Sequence, residues 1–170
     1  LLYYNDFNRP VLEKLIHTNE LTFTELFTAH PHIFIGKNHP LANKAVVSMD
    51  ELEEYPYISF EQGDHNSFYF SEEIFSTVVR PKHIRVRDRA SLFSLLLGLD
   101  GYTVSSGVID EEVNGENIIS VPLAEEGLMH IGYITNNKMH RSRLGQEYIQ
   151  ALEQYVGNYG KHIKLPKTKE

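Results

Sequence analysis

Residues 36–60 read GKNHPLANKAVVSMDELEEYPYISF, and the order of this passage decides how the rest of the chain is read. His39-Pro40-Leu41-Ala42 makes a compact turn. Ser48 is suited to cap a short helix over 49–54, with Asp50 and Glu51 in a first turn where the helix dipole favours acids and Leu52 as the apolar anchor. Pro56 stops that helix, and Tyr57 to Phe60 reads as a strand. Strand, turn, short helix and strand in this order are too regular for a linker. The passage carries no catalytic motif.

The same rhythm continues on the C-terminal side. Asn66 or Ser67 can cap a helix reaching Val78, with Phe70, Ile74 and Phe75 inward. After Pro81 a strand over 83–87 alternates, placing Ile84 and Val86 on one face. Asp88 then starts a helix over 90–99 that is apolar nearly all round, so it is predicted to lie between a sheet and a second covering layer. Gly101 closes it, and 102–104 is the next strand. This βαβαβ order predicts a parallel sheet with right-handed crossovers.

On the N-terminal side, Leu21, Phe23, Phe27, Ile33 and Ile35 suggest extended segments by their period-two spacing. Leu1-Leu2-Tyr3-Tyr4 reads like the interior of a buried strand, so the chain is expected to be an excised piece. Two further strands, over 118–123 and 128–135, are predicted to leave one lobe and enter another. The helix with the strongest signal spans 141–156, with Leu144, Tyr148, Ile149, Leu152 and Tyr155 at helical spacing and Gly157 as its stop. Residues 161–170 are basic, contain Pro166 and are expected to form a flexible tail.

Composition narrows the function. The chain has 170 residues, 41% hydrophobic and 23% charged, which suits one domain or two small lobes. Sixteen Lys and Arg face twenty-three Asp and Glu, a net charge of −7 that repels phosphate backbones and argues against DNA binding by these residues themselves. No run approaches the roughly 18 apolar residues of a membrane span, and the N-terminus lacks a signal-peptide pattern, so a cytoplasmic protein without membrane contact is expected. The absence of cysteine excludes thiolate nucleophiles and cysteine-bound zinc.

The passage 36–60 resembles the effector-binding domain of LysR-type transcriptional regulators. The resemblance rests on Asn38-His39-Pro40-Leu41-Ala42 followed by Asp50-Glu51-Leu52 and Tyr55-Pro56, and it extends from Leu1 to about Val156. Two departures stand against it. The turn after the apolar helix, Asp100-Gly101-Tyr102-Thr103-Val104-Ser105-Ser106, lacks the second Gly and the Pro usual in the family. The family's N-terminal winged helix-turn-helix, its linker helix and the first units of subdomain I are also missing.

The resemblance implies an α/β, two-lobed fold like type 2 periplasmic binding proteins, with two crossovers and a ligand cleft. Subdomain I would comprise 1–56 and 123–160 and be incomplete, and subdomain II would comprise 57–122. The crossovers would lie near 55–57 and 122–127. The implied function is regulatory: a small polar or anionic effector binds and changes how distant DNA-binding domains are presented. The alternative is a solute-binding protein of a transport system, which would share the fold. Implied partners are the small-molecule effector, further copies of the chain through the apolar helix 90–99 or its adjoining strand, and DNA only through the missing N-terminal domain.

Ligands of open α/β sheets bind beyond the carboxyl ends of the strands. That rule nominates Gln62, Gly63, Asn66 and Ser67 after the strand 57–60, with helix capping by Asn66 or Ser67 as the alternative. It also nominates Ser105 and Ser106 with Gly107, against a plain turn, and Asn5 and Asp6 after the first strand. Asp88, Arg89 and Ser91 occupy a similar position but read better as a cap with an exposed salt bridge. His30, His32 and His39 lack carboxylate partners at metal-ligand spacing, so no metal is expected. Gly98, Gly101 and Gly107 are spaced wrongly for a phosphate loop, so no cofactor is expected. No Gly-x-Ser-x-Gly elbow pairs a serine with a base, so an enzyme is not expected. The Phe68, Tyr69, Phe70 cluster reads as core rather than as a stacking platform.

Overall fold

In a computed structural model of the chain, residues 1–61, 74–75, 78–110 and 114–159 are described, with side chains as far as 157. They form two compact units. One contains Leu1–Ala29 and the described part of Leu128–Glu170; the other contains the described part of His30–Gly127.

The first unit is a three-stranded antiparallel sheet. β1 (Leu2–Tyr4) and β2 (Leu21–Ala29) flank β8 (Met129–Asn136) in the order β1-β8-β2. The β2 register shifts between Glu25 and Phe27, a bulge beside Gly132 of β8. A Cβ at Gly132 would lie 2.2 Å from the Thr24 carbonyl oxygen, so only glycine allows the strands to meet there.

Helix α1 (Arg9–Thr18), which the sequence reading did not anticipate, connects β1 to β2. Its local signals are Pro10 in the first turn, where the missing N–H costs nothing, and Leu12, the buried residue of the helix. Asn5 and Asn8 prepare its start reciprocally. The Asn5 N–H donates to Asn8 Oδ1 at 2.8 Å, and the Asn8 N–H donates to Asn5 Oδ1 at 3.1 Å.

The second unit begins with β3 (His32–Gly36), followed by β4 (Tyr57–Phe60), β5 (His83–Val86), helix α2 (Arg89–Gly98), β6 (Thr103–Ser105) and β7 (Ile118–Pro122). β3 is the middle strand of β6-β3-β7 and antiparallel to both neighbours, while β4 and β5 are parallel. Tyr102 ties the two groups together: it accepts from the Ile58 N–H at 2.8 Å and donates its own N–H to the Pro56 carbonyl at 3.0 Å. The strands of the predicted βαβαβ order do run parallel, β4 with β5 and Tyr57 with Tyr102, and it is β3, antiparallel to β6 and β7, that makes the sheet mixed. The chain enters on β3 and leaves on β7, with His32 opposite Pro122, so these two strands must run in opposite directions.

The two units divide at Ala29/His30 and Gly127/Leu128; the sequence reading set 1–56 and 123–160 against 57–122, with its return crossing near 122–127. All five residues of β3 are buried because the strand is central to the second unit's sheet, and the passage 36–60 follows inside that unit.

α2 lies on one face of this sheet. Leu92 and Leu96 pack with Phe34, Ile58, Val86 and Ile118, and full burial of a leucine such as Leu96 contributes about 1.5–3 kcal/mol. Its outer side is open rather than covered: Leu97 and Leu99 remain 48% and 49% exposed. The helix expected over 49–54 is a single 3-10 turn, Asp50–Leu52. Ser48 and Glu51 form a capping box there: the Ser48 N–H donates to the Glu51 carboxylate at 3.0 Å and the Glu51 N–H to Ser48 Oγ at 3.4 Å.

The C-terminal helix α3 (Arg143–Tyr159) runs through Gly157, which does not stop it. Of the apolar positions at helical spacing, Leu144 and Tyr148 are 77% and 65% exposed, while Ile149 and Leu152 are half-buried. The packed stripe of α3 is thus rotated from the one its periodicity suggests. No described helix is long and apolar enough to cross a membrane.

Candidate functional site

The carboxyl ends of β4 and β6 and the first turns of α2 surround a cavity of about 140 Å³. Its apolar wall is Phe34, Phe60, Leu92, Phe93 and Val104; its polar groups belong to Thr103, Ser105 and Arg89. Register explains the polar lining. Thr103 and Ser105 lie two apart on β6 and pair with Phe34 and His32 of β3, so their side chains share the sheet face on which α2 packs.

Arg89 stands at the first position of α2, which Asp88 caps by accepting from the Ser91 N–H and the Ser91 hydroxyl, each at 2.8 Å. These two bonds hold the Asp88 carboxyl below its ordinary pKa. The guanidinium of Arg89 lies 5.6 Å from the Phe93 ring centre, one helical turn on. Among the described residues no carboxylate is within ion-pair distance of Arg89. The expected cap is present, then, but the expected exposed salt bridge joins Arg87 to Glu61 instead.

Of the nominated residues, Ser105 lines the cavity. Ser106 follows it in a turn, its hydroxyl accepting from the Val108 N–H at 3.4 Å. Gly107 is required by that turn: its φ is +83°, and a Cβ there would lie 2.6 Å from the His32 ring. Asn5 Oδ1 accepts from the Phe7 and Asn8 N–H groups at 3.0 and 3.1 Å, which commits it to the start of α1, and Asp6 is exposed beside it. The cavity and these two residues belong to different units. Gln62, Gly63, Asn66 and Ser67, the helix they were expected to cap, and the Phe68-Tyr69-Phe70 cluster lie outside the described residues.

Sequence reasoning missed Phe34, Phe60, Phe93 and Thr103 and passed over Arg89. The rule about strand carboxyl ends pointed to Phe60 and Ser105 alike, but aromatic residues in strands read as core.

The two buried histidines have structural partners. His39 Nδ1 accepts from the Leu41 N–H at 3.0 Å, so Nε2 carries the proton and donates to the Asp100 carbonyl at 2.9 Å. This bond ties the His-Pro-Leu-Ala turn to the residue that follows α2, where Asp100 holds a φ of +48°. Burial pushes the His39 pKa below its ordinary value, against the opposing pull of the Asp100 carbonyl. Burial likewise lowers His32, whose Nδ1 lies 2.9 Å from the His30 carbonyl oxygen. No group of three potential metal ligands occurs among the described residues.

Behind the sheet, Arg80 stacks 3.9 Å from the centre of the Tyr57 ring and donates to the Tyr102 hydroxyl at 3.0 Å. Ser59 Oγ and His83 Nε2 are 2.7 Å apart beside them. The described residues bring no carboxylate into hydrogen bond with His83, so the pair lacks the third member that would orient it as a base.

Comparison with known families places this geometry. The LysR substrate binding domain profile matches residues 10–157. The chain belongs to that family, and its fold is the α/β architecture of type 2 periplasmic binding proteins. It is an effector-binding regulatory domain of the LysR type, which sets aside the transport solute-binding alternative.

Solved structures agree at the level of fold. HinK, a LysR family transcriptional regulator from Pseudomonas aeruginosa, is 15% identical with a TM-score of 0.56, over 82% of this chain and 49% of HinK. The chain thus spans about half the length of that regulator. The effector binding domain of QuiR, solved with shikimate, is 18% identical with a TM-score of 0.53, over 86% of this chain and 68% of its own. The effector binding domain of BenM, solved with its effector benzoate, is 16% identical with a TM-score of 0.52, over 89% and 69%. A search of curated protein sequences gives no match.

Proposed function

We propose that the domain senses a small polar or anionic molecule at the carboxyl ends of β4 and β6, and acts by binding rather than by catalysis. The observation that carries this reading is the cavity itself, placed where α/β sheets leave strand ends and helix N-termini free, with Ser105 on its wall and with Arg89, which has no carboxylate partner among the described residues, beside it. The 62–67 segment, which continues from β4, is included in the proposed site. Ligands solved with QuiR and BenM, shikimate and benzoate, support a small-molecule effector.

A ligand shifts an equilibrium only by its difference in affinity for two states, and couplings of about 1–3 kcal/mol suffice for a regulatory response. The output would pass through self-association, for which the exposed Leu97 of α2 and Leu99 just after it offer apolar surface. A net charge of −7 argues against DNA contact by this domain, and the proposal gives that contact to a separate domain of a cytoplasmic regulator. The test is the DNA affinity of the intact regulator with and without a panel of small acids, repeated with Ser67→Ala and Ser105→Ala together. A response that the double variant abolishes is expected; an undiminished response in that variant rejects the site.

A further inference from the structure

We propose that Asn114 is a site of spontaneous modification: the main-chain nitrogen of Gly115 attacks its side-chain amide and converts it to aspartate and isoaspartate, which loosens the connection between β6 and β7.

The sequence supplies the reacting pair. Asn114-Gly115 is the one Asn-Gly step in the chain. Ring closure brings the nitrogen that follows an asparagine onto the side-chain carbon Cγ, and glycine, with no Cβ, leaves that approach unobstructed.

The fold leaves the step open. Gly115 has a φ of +73°, and nothing lies within 4 Å of the place a Cβ would take. Among the described residues its N–H has no hydrogen-bond partner, so the attacking nitrogen is not tied into a ladder. The Asn114 amide is held by one bond, from Nδ2 to the Asp110 carbonyl at 2.7 Å. Its Oδ1 is buried without a donor, which destabilises the starting conformation.

Asp100-Gly101 could close the same ring but is packed shut. A Cβ at Gly101 would lie 3.0 Å from Ile58 Cγ1 and 3.1 Å from the Pro56 carbonyl oxygen, and His39 holds the Asp100 carbonyl.

The chemistry needs only water. The Gly115 nitrogen gives its proton to solvent and bonds to Asn114 Cγ; the Cγ–Nδ2 bond breaks, and Nδ2 takes a proton from solvent and leaves as ammonia. Water then opens the five-membered imide. Cleavage at Cγ yields aspartate, and cleavage at the main-chain carbonyl yields isoaspartate, in which the chain runs through Cγ. Nothing is oxidised or reduced.

The product cannot keep the contact it replaces. A carboxylate accepts and does not donate, so the bond to the Asp110 carbonyl becomes a meeting of two acceptors, and the buried Oδ1 position acquires charge without a donor. The neighbouring sequence, Asp110-Glu111-Glu112 and Glu116, is already acidic and repels a further negative charge. Ile109 and Ile118 pack in the α2 core on either side, so the loosening is confined between these two anchors.

The test incubates the full chain in mildly alkaline buffer and follows it by peptide mapping, with aspartyl and isoaspartyl peptides separated before mass spectrometry. Asn114 is expected to convert at least ten-fold faster than every other asparagine, no more than ten-fold slower than in the urea-unfolded chain, and with Asp100 unchanged. Asn114→Gln, which keeps the amide but lengthens the ring to be closed, is expected to slow conversion at this position ten-fold or more. Asn114→Asp is expected to speed amide hydrogen exchange ten-fold or more over 114–118 and to leave α2 unchanged. Earlier conversion of another asparagine, or protection of Asn114 by more than ten-fold on folding, overturns the site. Conversion at Asn114 with unaltered exchange in Asn114→Asp overturns the loosening.

Discussion

The two ends of α2 are finished differently. At its C-terminal end Leu96 is fully buried, the chain turns at Asp100, and His39 closes the turn with both ring nitrogens bonded. At its N-terminal end Asp88 satisfies the Ser91 N–H, but a cavity remains beneath Leu92 and Phe93, and Arg89 beside it has no carboxylate partner among the described residues. One helix thus carries a closed end and an open one. Where polar groups are all engaged, substitution should cost stability; where they are left free, it should cost binding.

The largest expected effect strikes what both ends share. Leu96→Ala removes a fully buried side chain from the core between α2 and the sheet, and should lower unfolding stability by about 2–5 kcal/mol in denaturant titration. A loss below 1 kcal/mol would mean that α2 is not anchored as described.

His39→Ala acts on the closed end alone. It leaves the Leu41 N–H and the Asp100 carbonyl without their partner, and should cost about 2 kcal/mol by the same measurement. His39→Gln, which keeps an acceptor and a donor, should recover part of it.

Acidification sharpens the contrast without mutation. His32 and His39 have folded pKa values lowered by burial, so the unfolded chain takes up protons first as pH falls. Their neutral forms stabilise the fold fully above the unfolded value of about 6.5, and this contribution declines below it until the lowered folded values are passed. His83 is lowered too, by burial and then by Arg85 and Arg80, but it is exposed and should contribute less. Thermal unfolding between pH 7.5 and 5 should therefore show a fall that His39→Gln diminishes; an unchanged slope would remove His39 from the account.

The smallest stability effect belongs to the open end. Arg89→Gln should alter unfolding stability by no more than about 0.5 kcal/mol, because it breaks no ion pair in the described structure. A larger loss would show that Arg89 is structural and dissolve the distinction between the two ends.

Much of the second unit was legible because its signals are local. Pro56 before β4, alternation in β5, Asp88 as a cap and the leucines of α2 each announce themselves within a few residues. α1 was missed although Pro10 and Leu12 were visible, because three turns with a single buried residue carry little periodicity. The cavity was half legible. Ser105 followed from the strand-end rule, but Phe34 comes from a strand that enters the unit far earlier in the chain, and its pairing with Thr103 is a long-range register.

The sequence by itself determined the family, through the order of His39-Pro40-Leu41-Ala42, Asp50-Glu51-Leu52 and Tyr55-Pro56, and determined which segments are strands and helices wherever capping, proline and periodicity act at short range. Only the tertiary structure decided that β3 is the antiparallel middle strand of the second unit, that the two units divide at Ala29/His30, and that Arg89 lines a cavity and meets no carboxylate among the described residues. The reason is physical: caps and turns are made by neighbours in the chain, whereas strand partners and the emptiness of a cavity are set by side chains that meet only when the chain is folded.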